Sequence, residues 1–198
     1  MALYDYDLYL IRESNKGSIL ADLLKYPMIY IHDDANGVLD KDADFCFKES
    51  MFDNSLIKLA IYFDETMFRR YFEKNGKAFI NWLKEFLEDY DILYAFISGG
   101  EGSDYYRDNH ITAKDVYDQL PELLHDKTIK YVHPLMYFSK RLQFDLLAKA
   151  ELPYFEVIDV DVKGWLLFCG NLDSNNSEIN DMGRFYRECL NSIQNNFK

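Results

Sequence analysis

The chain has 198 residues, of which 48% are hydrophobic and 17% aromatic. This composition excludes an intrinsically disordered protein and predicts a single domain spanning residues 1–198. The formal net charge of -12 argues against direct binding to nucleic acid or to an anionic membrane surface, because both would repel the protein. No apolar run approaches the ~18 residues that span a bilayer, and no secretory signal is recognisable, so a cytoplasmic location is predicted.

Four strands are predicted in the first third of the chain. Leu8 and Leu10 alternate with Asp7, and Phe45 and Phe47 alternate with polar neighbours, which is the two-residue period of a strand with one buried face. The strongest turn signal is the Asn-Gly dipeptide at positions 36 and 37. The predicted strands cover residues 2–11, 28–32, 44–50 and 56–63, with a turn at residues 33–37.

Two helices are predicted in the same half of the chain. Ser18 is expected to cap a short helix through Lys25. Asp64 is expected to begin a long one, because a short polar side chain accepts backbone N–H bonds at a helix start. Gly76 is expected to interrupt this long helix. Its apolar positions recur at intervals of three and four: Met67, Phe68, Tyr71, Phe72, Phe79, Ile80, Trp82, Leu83, Phe86, Leu87 and Tyr90.

The second half of the chain adds further strands and a final amphipathic helix. Strands are predicted at residues 92–98 (a central strand), 129–133, 154–160 and 164–169, and helices at residues 112–120, 139–149 and 176–195. The strands come in pairs between helices instead of alternating regularly with them. We therefore predict an α+β fold, a largely antiparallel or mixed sheet packed against two long amphipathic helices.

Local motifs for catalysis or cofactor binding are not recognisable. The glycine-rich segment at residues 99–102 lacks the Lys-Ser/Thr ending of a phosphate loop, and one His-Asp-Asp run at residues 32–34 is weak evidence for a metal site. The three cysteines, Cys46, Cys169 and Cys189, are widely spaced and flanked by apolar residues, so buried free thiols are predicted. We predict no catalytic, cofactor-binding or metal-ligating residues.

The negative charge is concentrated in two segments. Residues 31–53 hold seven acids against two lysines, and residues 85–108 hold seven acids against one arginine. Acidity is an ordinary solubility feature, but two acidic segments rich in aromatic residues also favour a basic protein partner. The candidate partner-binding residues are Asp33, Asp34, Asp40 and Asp42 in the first segment, and Glu101, Asp104, Tyr105 and Tyr106 in the second.

The order of features from residue 134 onward is similar to the C-terminal half of the immunity protein 52 family of bacterial polymorphic-toxin systems. The resemblance covers about the last third of the chain and lies in a few Pro, Gly and Asn residues within a hydrophobic pattern. These are Pro134-Leu135-Met136-Tyr137-Phe138-Ser139, Pro153, Gly164-Trp165-Leu166-Leu167, and Asn171-Leu172-Asp173 through Asn176. It implies a cytosolic antitoxin that binds and blocks a cognate toxin, in this family often a nuclease, and it carries over no catalytic residues.

Two other functions fit the same sequence. One is an enzyme, a hydrolase whose acidic active site is dispersed along the chain and leaves no local motif. The other is a homo-oligomeric structural or regulatory protein, and a homodimer is also compatible with the immunity hypothesis. The charge pattern and the resemblance together favour a non-enzymatic immunity protein whose partner is a toxin with a basic surface.

Overall fold

Nine strands in the described part of the chain form one antiparallel sheet. The computed structural model describes residues 6–51, 55–99, 133, 135–142, 155–161 and 163–169. The strand order is β2-β3-β4-β5-β1-β6-β7-β9-β8, and each neighbouring pair is antiparallel. The strands are β1 (Tyr6–Glu13), β2 (Ile29–Ile31), β3 (Asn36–Leu39), β4 (Ala43–Met51), β5 (Leu56–Phe63), β6 (Tyr94–Gly99), β7 (Leu135–Ser139), β8 (Phe155–Val160) and β9 (Gly164–Cys169).

The helical part of the described structure is small. It consists of α1 (Ile19–Leu23), α2 (Glu65–Asp89) and two single 3₁₀ turns at Ser14–Lys16 and Lys140–Leu142. The α+β prediction is therefore confirmed in a sheet-dominated form. The described residues contain one long helix where two were predicted, and the predicted helix at residues 176–195 lies outside them. No helix among the described residues is long and apolar enough to cross a membrane.

Helix α2 begins where the sequence predicts. The Asp64 carboxylate accepts a hydrogen bond from the Met67 amide at 2.9 Å, which satisfies one of the free amides at the helix start. The helix continues through Gly76, so the predicted interruption is wrong. The Phe72 ring lies over this position, with its Cε1 atom 2.8 Å from where a Cβ atom would stand. Glycine here makes room for a ring, and packing of the apolar face keeps the helix continuous.

One face of the sheet, called the helix face below, packs against α2. With 25 residues, α2 is about 37 Å long and contacts both β4 and β8. β4 and β8 are separated by six strand spacings, about 29 Å, because neighbouring strands lie about 4.8 Å apart, so a helix of this length reaches both. The core on this face joins residues of both layers: Leu8, Leu10, Phe45, Phe47, Leu59, Ile61, Ala95, Ile97, Tyr137 and Leu166 from the strands, and Phe79, Leu83, Phe86 and Leu87 from α2.

The opposite face of the sheet is called the second face, and the burial of its side chains changes from strand to strand. Its side chains are buried on β6 and β7, as for Phe96 and Phe138, and exposed on the first half of β4. Phe45 and Phe47 of β4 point into the core, so Cys46 between them lies on the second face and is exposed. The prediction that Cys46 is buried is wrong, because successive side chains of a strand point to opposite faces.

The prediction of buried free thiols also covers the other two cysteines. Cys169 and Cys189 both lie outside the side chains that the structure describes.

The Asn-Gly dipeptide belongs to a strand, so the predicted turn at residues 33–37 is too long. Asn36 and Gly37 begin β3, and the turn occupies the residues just before them. A Cβ atom at Gly37 would stand 2.7 Å from both the Tyr30 carbonyl oxygen and the Phe45 Cζ atom. Close packing, and not turn geometry, requires glycine here.

Other predicted elements have mixed outcomes. The strands at residues 28–32 and 56–63 and the hairpin at residues 154–160 and 164–169 are confirmed, and β6 lies in the interior of the sheet as expected. The strand predicted at residues 129–133 does not include His133, and β7 occupies residues that the sequence assigned to the approach to a helix. The predictions for residues 112–120, 129–132 and 143–149 lie outside the described residues.

A buried arginine on the sheet forms a salt bridge with α1, a contact that the sequence did not suggest. Arg12 on β1 is 2% exposed, and its Nη1 atom lies 2.6 Å from Oδ2 of Asp22 on α1. Its Nε and Nη2 atoms donate to the Gly17 carbonyl oxygen at 3.0 and 2.7 Å. Ser18 caps α1 as predicted, accepting from the Ala21 amide at 3.0 Å. The segment between β1 and β2 is therefore held by charge-assisted hydrogen bonds as well as by apolar packing.

Candidate partner-binding surface

The four acidic candidates of the first segment lie in two turns at opposite ends of β3. Asp33 and Asp34 lie in the turn between β2 and β3, and Asp40 and Asp42 lie in the turn between β3 and β4. Because β3 has four residues, the two turns are separated by about 10 Å. The structure therefore brings the candidates together in pairs, one pair at each end of this short strand.

Asp33 is engaged within its own turn. Its Oδ1 atom accepts hydrogen bonds from the Ala35 and Asn36 amides, both at 2.9 Å, and from the Asn36 side-chain amide. The Asn36 side chain and these backbone bonds lower the pKa of the carboxyl group. Asp33 thus shapes the turn, whereas the exposed Asp34 has no hydrogen bond or ion pair with any described residue.

The turn between β3 and β4 presents its acids to solvent. The backbone of Asp40 and Lys41 lies in the left-handed region, with φ of 49° and 64°, and the Asp42 amide donates to the Leu39 carbonyl oxygen at 3.0 Å. Positive φ at both central residues is the geometry of the tight turns that fit twisted hairpins. The side chains of Asp40, Lys41 and Asp42 are all exposed.

Further acids lie at the same end of the sheet, where α2 begins. The Asp64 amide donates to the Asp44 carbonyl oxygen at 2.9 Å, which joins the start of the helix to the start of β4. The pKa of Tyr71 on α2 is raised to about 12, mainly by burial and further by the charges of Asp40 and Asp42. The carboxylates of Asp40, Asp42 and Asp44 form no hydrogen bond or ion pair with another described residue. These three residues are called the acidic end below.

An open depression of about 670 Å³ lies beside the acidic end. The thiol of Cys46 borders it, with Sγ 3.8 Å from the Tyr62 carbonyl oxygen, a weak hydrogen bond. Its lining includes His32, Asn36, Asp44, Cys46, Tyr62 and Asp64. Within the part of the chain that the structure describes, no three His, Cys, Asp or Glu side chains are placed to hold a metal ion.

An exposed tyrosine next to this surface escaped the sequence analysis. Tyr30 on β2 is 41% exposed, and the Lys41 ammonium group lies 5.5 Å from the centre of its ring. This distance fits a cation–π contact. The residue was predicted within a strand, but no sequence pattern indicated that its side chain points to solvent. The aromatic candidates named instead, Tyr105 and Tyr106, lie outside the described residues, as do Glu101 and Asp104.

Most described acids of the second segment are engaged inside the fold. Asp91 lies within 3.2 Å of Lys16 and 3.3 Å of Lys163, and these two hydrogen bonds lower the pKa of its carboxyl group. Asp89 accepts a hydrogen bond from the Tyr26 hydroxyl at 2.7 Å.

The remaining two described acids of this segment lie on the last turns of α2. Glu88 pairs with Lys84 one helical turn away, at 3.2 Å. Glu85 is the exception among the four described acids, because its side chain is exposed and has no hydrogen bond or ion pair with a described residue. Glu88 and Asp91 thus pair with lysines and Asp89 accepts from a hydroxyl group, so the charge at the C-terminal end of α2 is partly compensated, in contrast to the acidic end at its start.

Comparisons with known proteins found no relative of this chain. No family model, no curated protein and no solved structure matches this chain. The resemblance to the immunity protein 52 family therefore stays a prediction.

Proposed function

We propose that this protein is a cytoplasmic immunity protein that binds a cognate toxin with a basic surface and neutralises it. The observation that carries the proposal is the contrast between the two acidic regions. Asp89 and Asp91 have tyrosine or lysine partners. The three carboxylates of the acidic end are exposed and form no hydrogen bond or ion pair with another described residue. Uncompensated like charges cost stability, so their presence is better explained by a partner of opposite charge.

A toxin that acts on nucleic acid would suit this surface. Nucleases present positively charged clefts to the phosphate backbone, and an acidic protein can occupy such a cleft and be steered towards it. The proposal extends to Glu101, Asp104, Tyr105 and Tyr106 as further contact residues and to a second long helix at residues 176–195. It assigns no catalytic step to this chain.

The test is a titration against the product of the adjacent upstream gene at low and at physiological ionic strength. Tight binding that weakens with salt, together with loss of the toxin's activity in the complex, supports the proposal. Absence of binding at low ionic strength, where steering is strongest, contradicts it.

A hydrolase is the second candidate, and the depression beside the acidic end favours it. His32 and Cys46 share that depression, and Cys46 is exposed, as a nucleophile must be. The Cys46→Ala and His32→Ala variants separate the two functions. Neutralisation of the toxin by both variants supports the immunity protein, whereas loss of a hydrolytic activity that the unmodified protein possesses supports the enzyme.

A further inference from the structure

We propose that the toxin docks on the second face of the sheet at β3 and β4, with Cys46 near the centre of the contact. This inference rests on the proposed function and adds the location of the interface. The docking face is defined by Tyr30, Asn36, Asp44 and Cys46, and the other two residues of the acidic end, Asp40 and Asp42, lie along one border.

The first argument is that the same face of one sheet is buried in one region and open in another. On β6 and β7, the second-face side chains Tyr94, Phe96 and Phe138 are buried. On β4, Asp44 and Cys46 are exposed, although they belong to the same face through the pairing of β4 with β5 and of β5 with β1. The side chains of Asp44 and Cys46 are therefore accessible to another molecule, whereas Val38 on the same face of β3 is only 8% exposed.

The second argument is charge, which indicates the kind of molecule that docks on this face. Asp44 lies on the docking face, Asp40 and Asp42 border it at one end, and Asp34 lies in the turn at the other end of β3. Lys41 is the cation within this set. A second copy of the chain would bring another net charge of -12 to the contact, so a basic protein surface is the complementary partner.

The third argument is the shape and chemistry of the face. Tyr30 offers an exposed ring on β2, and the depression lined by Asp44, Asp64 and the half-buried Tyr62 lies on the same face two strands away. Tyrosine is enriched among residues that dominate binding energy, and a carboxylate beside an aromatic ring suits a lysine or arginine side chain. Lys48, two residues beyond Cys46 on the same face, marks where the acidic character ends.

Cys46 gives the inference a direct test, because its exposed thiol reports whether the face is covered. The protein is alkylated alone and with the upstream-gene toxin, and the modification of the Cys46 peptide is followed by mass spectrometry. With the toxin at about 100 times its Kd, roughly 1% of the protein is unbound, so alkylation of a fully covered thiol slows by about 100-fold. The Cys46→Ser variant, which keeps a polar group beside the Tyr62 carbonyl oxygen, identifies the reacting peptide.

A matched pair of charge reversals gives an independent readout. Asp44→Lys places a cation on the docking face, and we expect it to slow association with the toxin by about tenfold at low salt. Glu85→Lys makes the same change at an exposed position of α2, on the other side of the sheet, and should leave association nearly unchanged. Both positions are exposed, so both variants are expected to fold.

The outcomes separate the docking face from the proposed function. Protection of Cys46 together with an effect of Asp44→Lys alone supports the docking face. Toxin binding that leaves Cys46 as reactive as in the free protein overturns the docking face and keeps the immunity function. Failure of the toxin to bind overturns both.

Discussion

Arg12 and Asp22 form a salt bridge of 2.6 Å in which the guanidinium group is almost completely buried. The bridge joins α1 to an interior strand of the sheet, since β1 lies between β5 and β6. Burial raises the pKa of the Asp22 carboxyl group, but hydrogen bonds from Lys25 and Arg12 outweigh it, and the net effect lowers that pKa. The folded state therefore favours the charged form of Asp22.

We expect Asp22→Asn to lower the free energy of unfolding by about 3 kcal/mol, because it leaves the buried guanidinium group without its counter-charge. Urea denaturation followed by circular dichroism measures this change. Lys25→Ala removes the exposed partner of the same carboxylate and should lower the free energy of unfolding much less, because solvent screens an exposed ion pair. Equal losses in the two variants would contradict the role assigned to Arg12.

His133 should make the protein less stable in mild acid. The side chain is buried and stacks on Phe96 with ring centres 4.5 Å apart, and burial lowers its pKa to about 3. Unfolded histidine has a pKa of about 6.5, so as the pH falls from about 6.5 towards 3 the unfolded state binds a proton that the folded state does not. The contribution of neutral His133 is therefore complete above pH ~6.5 and is lost on acidification.

The measurement is the free energy of unfolding as a function of pH. One proton corresponds to a slope of about 1.4 kcal/mol per pH unit in this window. His133→Phe keeps an aromatic ring against Phe96 and should remove that slope. An unchanged pH dependence between pH ~6 and ~4 in this variant would show that other groups cause it.

The turn between β3 and β4 carries backbone strain that can be relieved. Lys41 adopts φ of 64°, a conformation that costs a residue with a side chain about 1 kcal/mol and costs glycine little. We expect Lys41→Gly to raise the denaturation midpoint, with a gain of about 1 kcal/mol in unfolding free energy. Lys41→Val, whose branched side chain fits this conformation poorly, should lower the midpoint, and a loss of stability in both variants would exclude strain as the cause.

The acidic end should control the rate of toxin association in the proposed function. Asp40→Asn combined with Asp42→Asn removes two charges while keeping side chains that suit the turn, and we expect slower association and a shallower salt dependence. Lys41→Asn removes the intervening cation and should have the opposite effect. Stopped-flow association at several salt concentrations measures both, and identical kinetics in the three proteins would argue against steering by this turn.

Local sequence patterns predicted the strands well, but they predicted the surroundings of single residues poorly. The alternation of Phe45 and Phe47 predicts β4 correctly, and the same alternation places Cys46 on the outer face, although its apolar neighbours suggested burial. The Asn-Gly dipeptide pointed to a turn because local chemistry favours one, but the close approach of Tyr30 and Phe45 decides the role of Gly37. That approach depends on two strand pairings and cannot be read from neighbouring residues.

The candidate surface could likewise be predicted only in part from local sequence patterns. The clustering of acids in residues 31–53 was visible in the sequence, and four of its members lie in exposed turns. Which carboxylates are engaged depended on contacts over long sequence distances, as between Asp91 and Lys163. Exposure of Tyr30 likewise follows from the pairing of β2 with β3, which the sequence did not predict.

The strand order also bears on how the chain assembles as it leaves the ribosome. Strands β1 to β6 are neighbours in the sheet and come from residues 6–99, whereas β7, β8 and β9 are added on the far side of β6. A nascent chain that has emerged through Gly99 can already complete the first group, and β6 then presents an unpaired backbone edge until residues 135–139 arrive. Such an edge invites pairing with other chains, so synthesis that stalls between β6 and β7 should produce the most aggregation-prone intermediate of this protein.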